Sequence, residues 1–167
     1  GVLPFSSVGY EINDAVEDAI IGRHINIYKG SGGLNKAYIG NSFSPFKNFS
    51  VGVNAAYIFG DINKESAVTF PDSVTYTNTM IKNSTRLTQL TAELGLMYRF
   101  NLKEGYFLQT GVTINPEHTI IGKTDHIIYT FARNYDQNRD IIKDTIEYMP
   151  GAETSTTLPL AIGGGFM

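Results

Sequence analysis

The sequence predicts an all-β chain, an antiparallel β-meander that forms part of a transmembrane β-barrel. The strongest signal lies in residues 85–115, TRLTQLTAELGLMYRFNLKEGYFLQTGVTIN. Leu90, Ala92, Leu94, Leu96, Tyr98 and Phe100 occupy one set of alternate positions, and Gln89, Thr91, Glu93, Gly95, Met97 and Arg99 the other. A period of two with one apolar side marks a strand whose two faces meet different surroundings. The strand runs about ten residues or more, longer than the usual five or six and suited to crossing a bilayer at a tilt. Composition agrees, because 17 Gly, 10 Tyr and 10 Phe suit tight β-structure and aromatic girdles. There is no run of about eighteen apolar residues to make a membrane helix, and strands need none.

Taken from the start, Val8, Tyr10 and Ile12 alternate with Ser7, Gly9 and Glu11 and predict a short strand. Residues 13–21 read as a helical turn or two, capped by Asn13 or Asp14. Gly30, Gly32 and Gly33 read as a joint before a strand at 34–43. The GSGG run there lacks the spacing and the Lys-Ser/Thr pair of a phosphate loop, so a structural turn is the better reading. Pro45, awkward in a central ladder, marks a short connection to residues 49–60, FSVGVNAAYIFG. That strand puts Val51, Val53, Ala55, Tyr57 and Phe59 on one face and small or polar residues on the other.

Residues 61–84 form a long connection that either extends the flanking strands or makes a small hairpin around Val68, Phe70, Val74 and Tyr76. Beyond the turn at 101–105, Tyr106, Leu108, Val112 and Ile114 resume the period, which Phe107 and Thr110 break. Pro116 predicts a bend or bulge before residues 118–131, HTIIGKTDHIIYTF. A polar connection at 132–140 then precedes IIKDTIEYMP, and a joint around Gly151 leads to TTLPLAIGGGF. The result is a single β-rich segment over 1–167, an incomplete barrel of about six or seven strands. Short turns near Pro45 and Lys103 lie at one end and longer connections at the other.

Chemistry is sparse. A net charge of -3 with dispersed basic residues argues against tracking nucleic acid. The lack of cysteine removes disulfides and thiolate sites, and no GxSxG, HExxH or full phosphate loop occurs. His118, Asp125 and His126 have metal-ligand composition, but adjacent residues on a strand do not converge. Glu11, Asp14, Glu17 and Asp18 cluster without the defined pocket that hydrolysis needs. The sequence therefore predicts no enzyme, no cofactor and no metal. Glu93 and Arg99 share a face about 20 Å apart, too far for a direct bridge. Leu94, Leu96, Tyr98 and Phe100 are expected to contact an apolar phase, and Thr91, Glu93 and Arg99 are not.

The phrases GSGGLNKAYIGNSF, KNFSVGVNAAYIFG, LTAELGLMYRFNLKEGYFLQTGVTI and TTLPLAIGGGF together resemble the FadL-like outer-membrane transport proteins, particularly their divergent relatives in Bacteroides-type bacteria. The resemblance covers most of the chain and corresponds to an internal or truncated portion of a fourteen-stranded barrel with an N-terminal plug. It implies an outer-membrane location in a Gram-negative bacterium, with Leu94, Leu96, Tyr98 and Phe100 facing lipid and Thr91, Glu93 and Arg99 facing the lumen. The N-terminal GVLPFSSVGY lacks the features of a signal peptide, so an exported protein would be processed or excised from a longer precursor.

The function implied is passage or capture of small hydrophobic compounds such as long-chain fatty acids, with outer-membrane lipid as the surrounding partner. Two other readings stand beside it. One is a non-enzymatic surface or scaffold protein that binds a protein or glycan through its loops, and the other is a soluble β-rich binding domain.

Overall fold

The computed structural model describes residues 1–72, 76–103, 105–134 and 139–167; Val74 and the middle of the polar connection at 132–140 lie outside them. It consists of β1 (Val2–Asp18), β2 (Gly22–Phe46), β3 (Phe49–Thr69), β4 (Asn78–Lys103), β5 (Tyr106–Asn115), β6 (His118–Asn134), β7 (Arg139–Leu158) and β8 (Ala161–Phe166). Every pairing is antiparallel. No helix among the described residues is long and apolar enough to cross a membrane.

The eight strands make six long strand lines. Leu94 of β4 faces Ile114 of β5 and Thr88 faces Ile121 of β6, so six steps along β4 match seven along the opposing chain. β5 and β6 are thus one strand interrupted by a one-residue bulge at Pro116, where the sequence predicts one. On the far side Ile114 faces Ile162 and His118 faces Leu158, four steps against four, so β7 and β8 also run in one register across Pro159. The joint expected around Gly151 is therefore absent. Gly151 lies inside β7 with φ +67°, its N–H donating to the Asp125 carboxylate at 2.7 Å.

Proline placement explains most of the irregularities. Pro4, Pro45 and Pro150 sit at register shifts, Pro116 and Pro159 at the two strand breaks, and Pro71 in the turn after β3. A residue with no N–H to give a ladder is confined to such places.

Two further expectations are corrected. Residues 13–18 are strand rather than helix, because Asn13, Ala15 and Glu17 pair in register with Ile27, Ile25 and Arg23 of β2. The turn that follows is held by Asp18, whose carboxylate accepts the N–H groups of Ile20 (2.7 Å) and Ile21 (3.0 Å). Gly30, Gly32 and Gly33 are not a joint but the interior of β2, paired on both sides. Of the two forms expected for residues 61–84 the chain takes the extension of β3 and β4, which leaves a connection of only 70–77.

The two N–H bonds from Ile21 and Ile20 hold the Asp18 carboxyl below the ordinary aspartate value. Its contribution to stability is therefore present above pH 3.8 and lost as pH falls through the lower folded value. An Asp18→Asn variant should unfold with a flatter acid limb below pH 4 than the parent; parallel acid titrations would remove Asp18 from this role.

A row of alternating leucine and glycine crosses four strands, with Leu34 facing Gly60, Gly60 facing Leu87 and Leu87 facing Gly122. Leu34 and Leu87 lie in the core cluster with Ile58 and Ile120, and Ile62 and Leu158 pack against it. Each glycine leaves room for the neighbouring leucine or strand. A Cβ on Gly122 would stand 2.3 Å from Leu87 Cδ2, and one on Gly60 2.1 Å from the Gly33 carbonyl oxygen.

Side-chain alternation is unbroken along β3 and β4 across this row, so Ala67 and Lys82 share a sheet face with Val53 and Leu94. The curl nevertheless changes side. Below the row a hollow of about 480 Å³ opens on the face of Asn54 and Glu93. Above it a cavity of about 340 Å³, on the opposite face, draws Glu11 of β1, Ala67, Lys82, Tyr129 and Asp140 of β7 together. Strands so far apart in the sheet order line one cavity only if the sheet is strongly rolled there. Gly32 at φ +109° and Gly60 at φ +153° hold backbone conformations that residues with a side chain rarely adopt.

Candidate functional site

Below the glycine row the sheet curls into a half-barrel, and its inner face is small and polar. Lys36, Tyr38, Gly40 and Ser42 of β2, Asn54 and Ala56 of β3, Thr91, Glu93 and Gly95 of β4, and Thr113 of β5 all stand there. Lys36 and Glu93 form an ion pair from strands that are not neighbours, spanning β3 at Ala56, which is 1% exposed. Only so small a residue on the intervening strand lets the lysine stem lie across it. The side chains of Lys36 and Glu93 are 15% and 26% exposed, so the pair is largely desolvated.

Removing one partner strands the other charge. Glu93→Leu should destabilise by about 1–3 kcal/mol, and adding Lys36→Met should recover most of that loss. A double-mutant cycle in denaturant would show it, and additive losses would mean that the pair contributes nothing.

Of the residues that the sequence singles out, Thr91, Glu93 and Arg99 share this inner face, and Leu94, Leu96, Tyr98 and Phe100 share the outer one. The four apolar side chains are 40–45% exposed, whereas Thr91 and Glu93 are half-buried. Arg99 stacks on Phe107 with its guanidinium carbon 3.8 Å from the ring centroid. Phe107 breaks the alternation of its strand for this reason: it faces Asn101, on Arg99's side of the sheet.

The outer face below the row is a continuous apolar surface. Along β3 it presents Phe49, Val51, Val53, Ala55, Tyr57 and Phe59, with Phe43, Ile39, Leu90, Leu94, Leu96, Tyr98 and Val112 beside them. Aromatic pairs mark its two ends, Tyr98 with Phe100 at 4.5 Å and Tyr57 with Phe59 at 5.7 Å. From Phe49 to Phe59 is ten steps, about 33 Å along a strand. At the usual tilt of about 40° that spans about 25 Å, the height of an outer-membrane barrel's apolar band. Two residues beyond, the same face turns charged, with Asp61, Arg86, Lys123 and Glu153 aligned in register across β3, β4, β6 and β7.

Higher still lies a second constellation that the sequence reading missed. Glu11 faces Lys29, Lys29 faces Glu65 and Glu65 faces Lys82, alternating in sign across four strands. Glu11 and Lys29 approach to 2.9 Å, and Glu65 and Lys82 to 3.0 Å. Burial pulls the Lys82 ammonium down, but the Glu65 carboxylate and Tyr129 outweigh it and leave its pKa above the ordinary lysine value. Residues 11, 29, 65 and 82 are far apart in the chain, and no local pattern announces them.

The histidines do not converge. His118 Nδ1 lies 3.0 Å from the Pro116 carbonyl, His126 Nδ1 lies 2.6 Å from Asn83 Oδ1, and Asp125 holds the Gly151 N–H on the other face. Among the described residues no group of three or more His, Asp or Glu could hold a metal ion.

Six antiparallel strand lines curled into half a barrel, polar and small within and apolar without, define a β-barrel wall. Over residues 1–167 the chain matches the family model described as BamG, and it belongs to the BamG family. That makes it an outer-membrane-associated protein of the Gram-negative type. No curated protein and no solved structure matches it.

Proposed function

We propose that this chain is a non-enzymatic wall of an outer-membrane β-barrel, whose strand extensions beyond the bilayer act as a rigid platform for a protein or glycan partner. The observation that carries the reading is the apolar outer belt from Phe49 to Phe59, bounded by aromatic pairs and then by the charged row at Asp61. A soluble sandwich would bury Leu94, Leu96 and Tyr98 rather than leave them about 40% exposed. Above the belt β3 continues for ten residues to Thr69. The charge ladder and the edge-on contact of the Tyr129 and Phe131 rings stiffen that extension, which suits presentation of a surface rather than closure over a substrate. By the usual placement of short turns on the periplasmic side, residues 70–77 face outward from the cell.

Passage or capture of a small hydrophobic compound, the FadL-like function, is the second reading. It is favoured by a cleft of about 490 Å³ beside β5 and β8, where Met97, Phe166 and Met167 border a glycine-lined floor. Against it, the rest of the inner face offers Lys36, Asn54, Thr91, Glu93 and Thr113, a poor track for an acyl chain. The readings part in one experiment on the full-length protein in liposomes, following a labelled long-chain fatty acid beside a small sugar. Entry of neither solute, with a protein or glycan complex that depends on residues 70–77, supports the platform. Selective fatty-acid entry overturns it in favour of transport.

A further inference from the structure

We infer that Arg86 and Lys123 form a binding site for the phosphate headgroup of a membrane lipid, on the outer face of the wall at the upper margin of its apolar belt. The inference rests on the membrane-wall reading above and adds a ligand to it. Arg86 and Lys123 are direct cross-strand partners of β4 and β6, which places their Cβ atoms about 5 Å apart on one face. Like charges so placed repel, and an anion between them would relieve that repulsion. Arg86 is only half engaged, since its Nε donates to Asp61 at 2.9 Å and its side chain is 77% exposed. Lys123 has no ion pair among the described residues and is exposed.

The surroundings fit a lipid better than a free anion. A shallow cavity of about 390 Å³ is lined by both cations together with Thr88, Ile121 and Glu153. Two residues below Lys123 on the same strand face is Ile121, 59% exposed, and near it Leu90, 68% exposed. A phosphate on the cations would therefore have its acyl chains running down the apolar belt. Asp61 and Glu153 flank the pair, one on each side, and Asp125 is near enough to act on Arg86, so three carboxylates limit the affinity of the site. Two cations at a membrane boundary are worth about 1 kcal/mol each toward an anionic headgroup, so loss of one should weaken binding about fivefold.

The test is titration of the detergent-solubilised full-length protein with short-chain phosphatidic acid, short-chain phosphatidylcholine and inorganic phosphate, reading bound ligand by native mass spectrometry. Lys123→Gln should weaken phosphatidic acid binding by about fivefold or more, Lys123→Arg should retain it and Glu153→Gln should strengthen it. Phosphatidylcholine should respond to none of these changes. A smaller loss in Lys123→Gln overturns the site, and inorganic phosphate competing as well as the lipid overturns the lipid as its source. Each variant is also reconstituted into liposomes. Insertion without headgroup discrimination overturns this site alone, whereas failure of the parent protein to insert overturns the membrane-wall reading on which it rests.

Discussion

Leu94→Arg should cost about 2–4 kcal/mol of folding free energy in a bilayer, against about 1 kcal/mol or less for Ser42→Arg. Leu94 stands near the middle of the outer apolar belt, between the rows of Tyr98 and Leu90, and is 40% exposed with no protein to cover it. An arginine there has to hold its guanidinium in hydrocarbon or reach for the headgroups, and both are costly at the midplane. Ser42 lies on the other face and borders the inner hollow of about 480 Å³, where a long polar side chain has room and company. Urea unfolding from phospholipid vesicles would measure both. Equal losses would mean that the two faces of the sheet meet the same medium, and the wall reading would fail.

Gly60→Ala should destabilise by about 3 kcal/mol, the upper part of the range for forced overpacking. A Cβ there would stand 2.1 Å from the Gly33 carbonyl oxygen and 3.0 Å from Leu34 Cα, both backbone atoms that no rotamer change can move aside. The backbone at φ +153° adds strain of its own. Gly9→Ala is the control, because nothing lies within 4 Å of its added Cβ. The effect reaches further than local stability, since Gly60 belongs to the row at which the sheet reverses its curl. The cavity of Glu11, Lys82, Tyr129 and Asp140 should open in the variant, with loss of protection at the Glu65 and Lys82 amides in hydrogen exchange. Unchanged stability and exchange would show that the strands slide past one another at this row without contact.

Alternation from Leu90 to Phe100 and from Val51 to Phe59 determined the strands, their antiparallel neighbours and the division into an apolar and a polar face, since a period of two fixes sidedness wherever the backbone is extended. Proline likewise announced where ladders would be interrupted, because the missing N–H acts locally. Local patterns failed where the deciding interaction lay on another strand. Residues 13–18 have a passable helical spacing, but pairing with Ile25 and Ile27 makes them strand. Gly30, Gly32 and Gly33 read as a joint, but Tyr10 covers Gly30 from across the ladder and Asp61 and Ser6 press on the other two. Phe107 breaks the period of its own strand, and the reason, Arg99 stacked on its ring, lies on the neighbouring strand.

The candidate site followed the same division. Glu93 was legible as an inward charge, but its partner Lys36, two ladders away over Ala56, was not. The ladder of Glu11, Lys29, Glu65 and Lys82 and the row of Asp61, Arg86, Lys123 and Glu153 were invisible, because each draws one residue from each of four strands. Sequence fixes the face on which a strand residue stands through its own parity. Which residues stand abreast is set by register, and register here depends on turn lengths, on the bulge at Pro116 and on the close fit of leucine against glycine across the sheet.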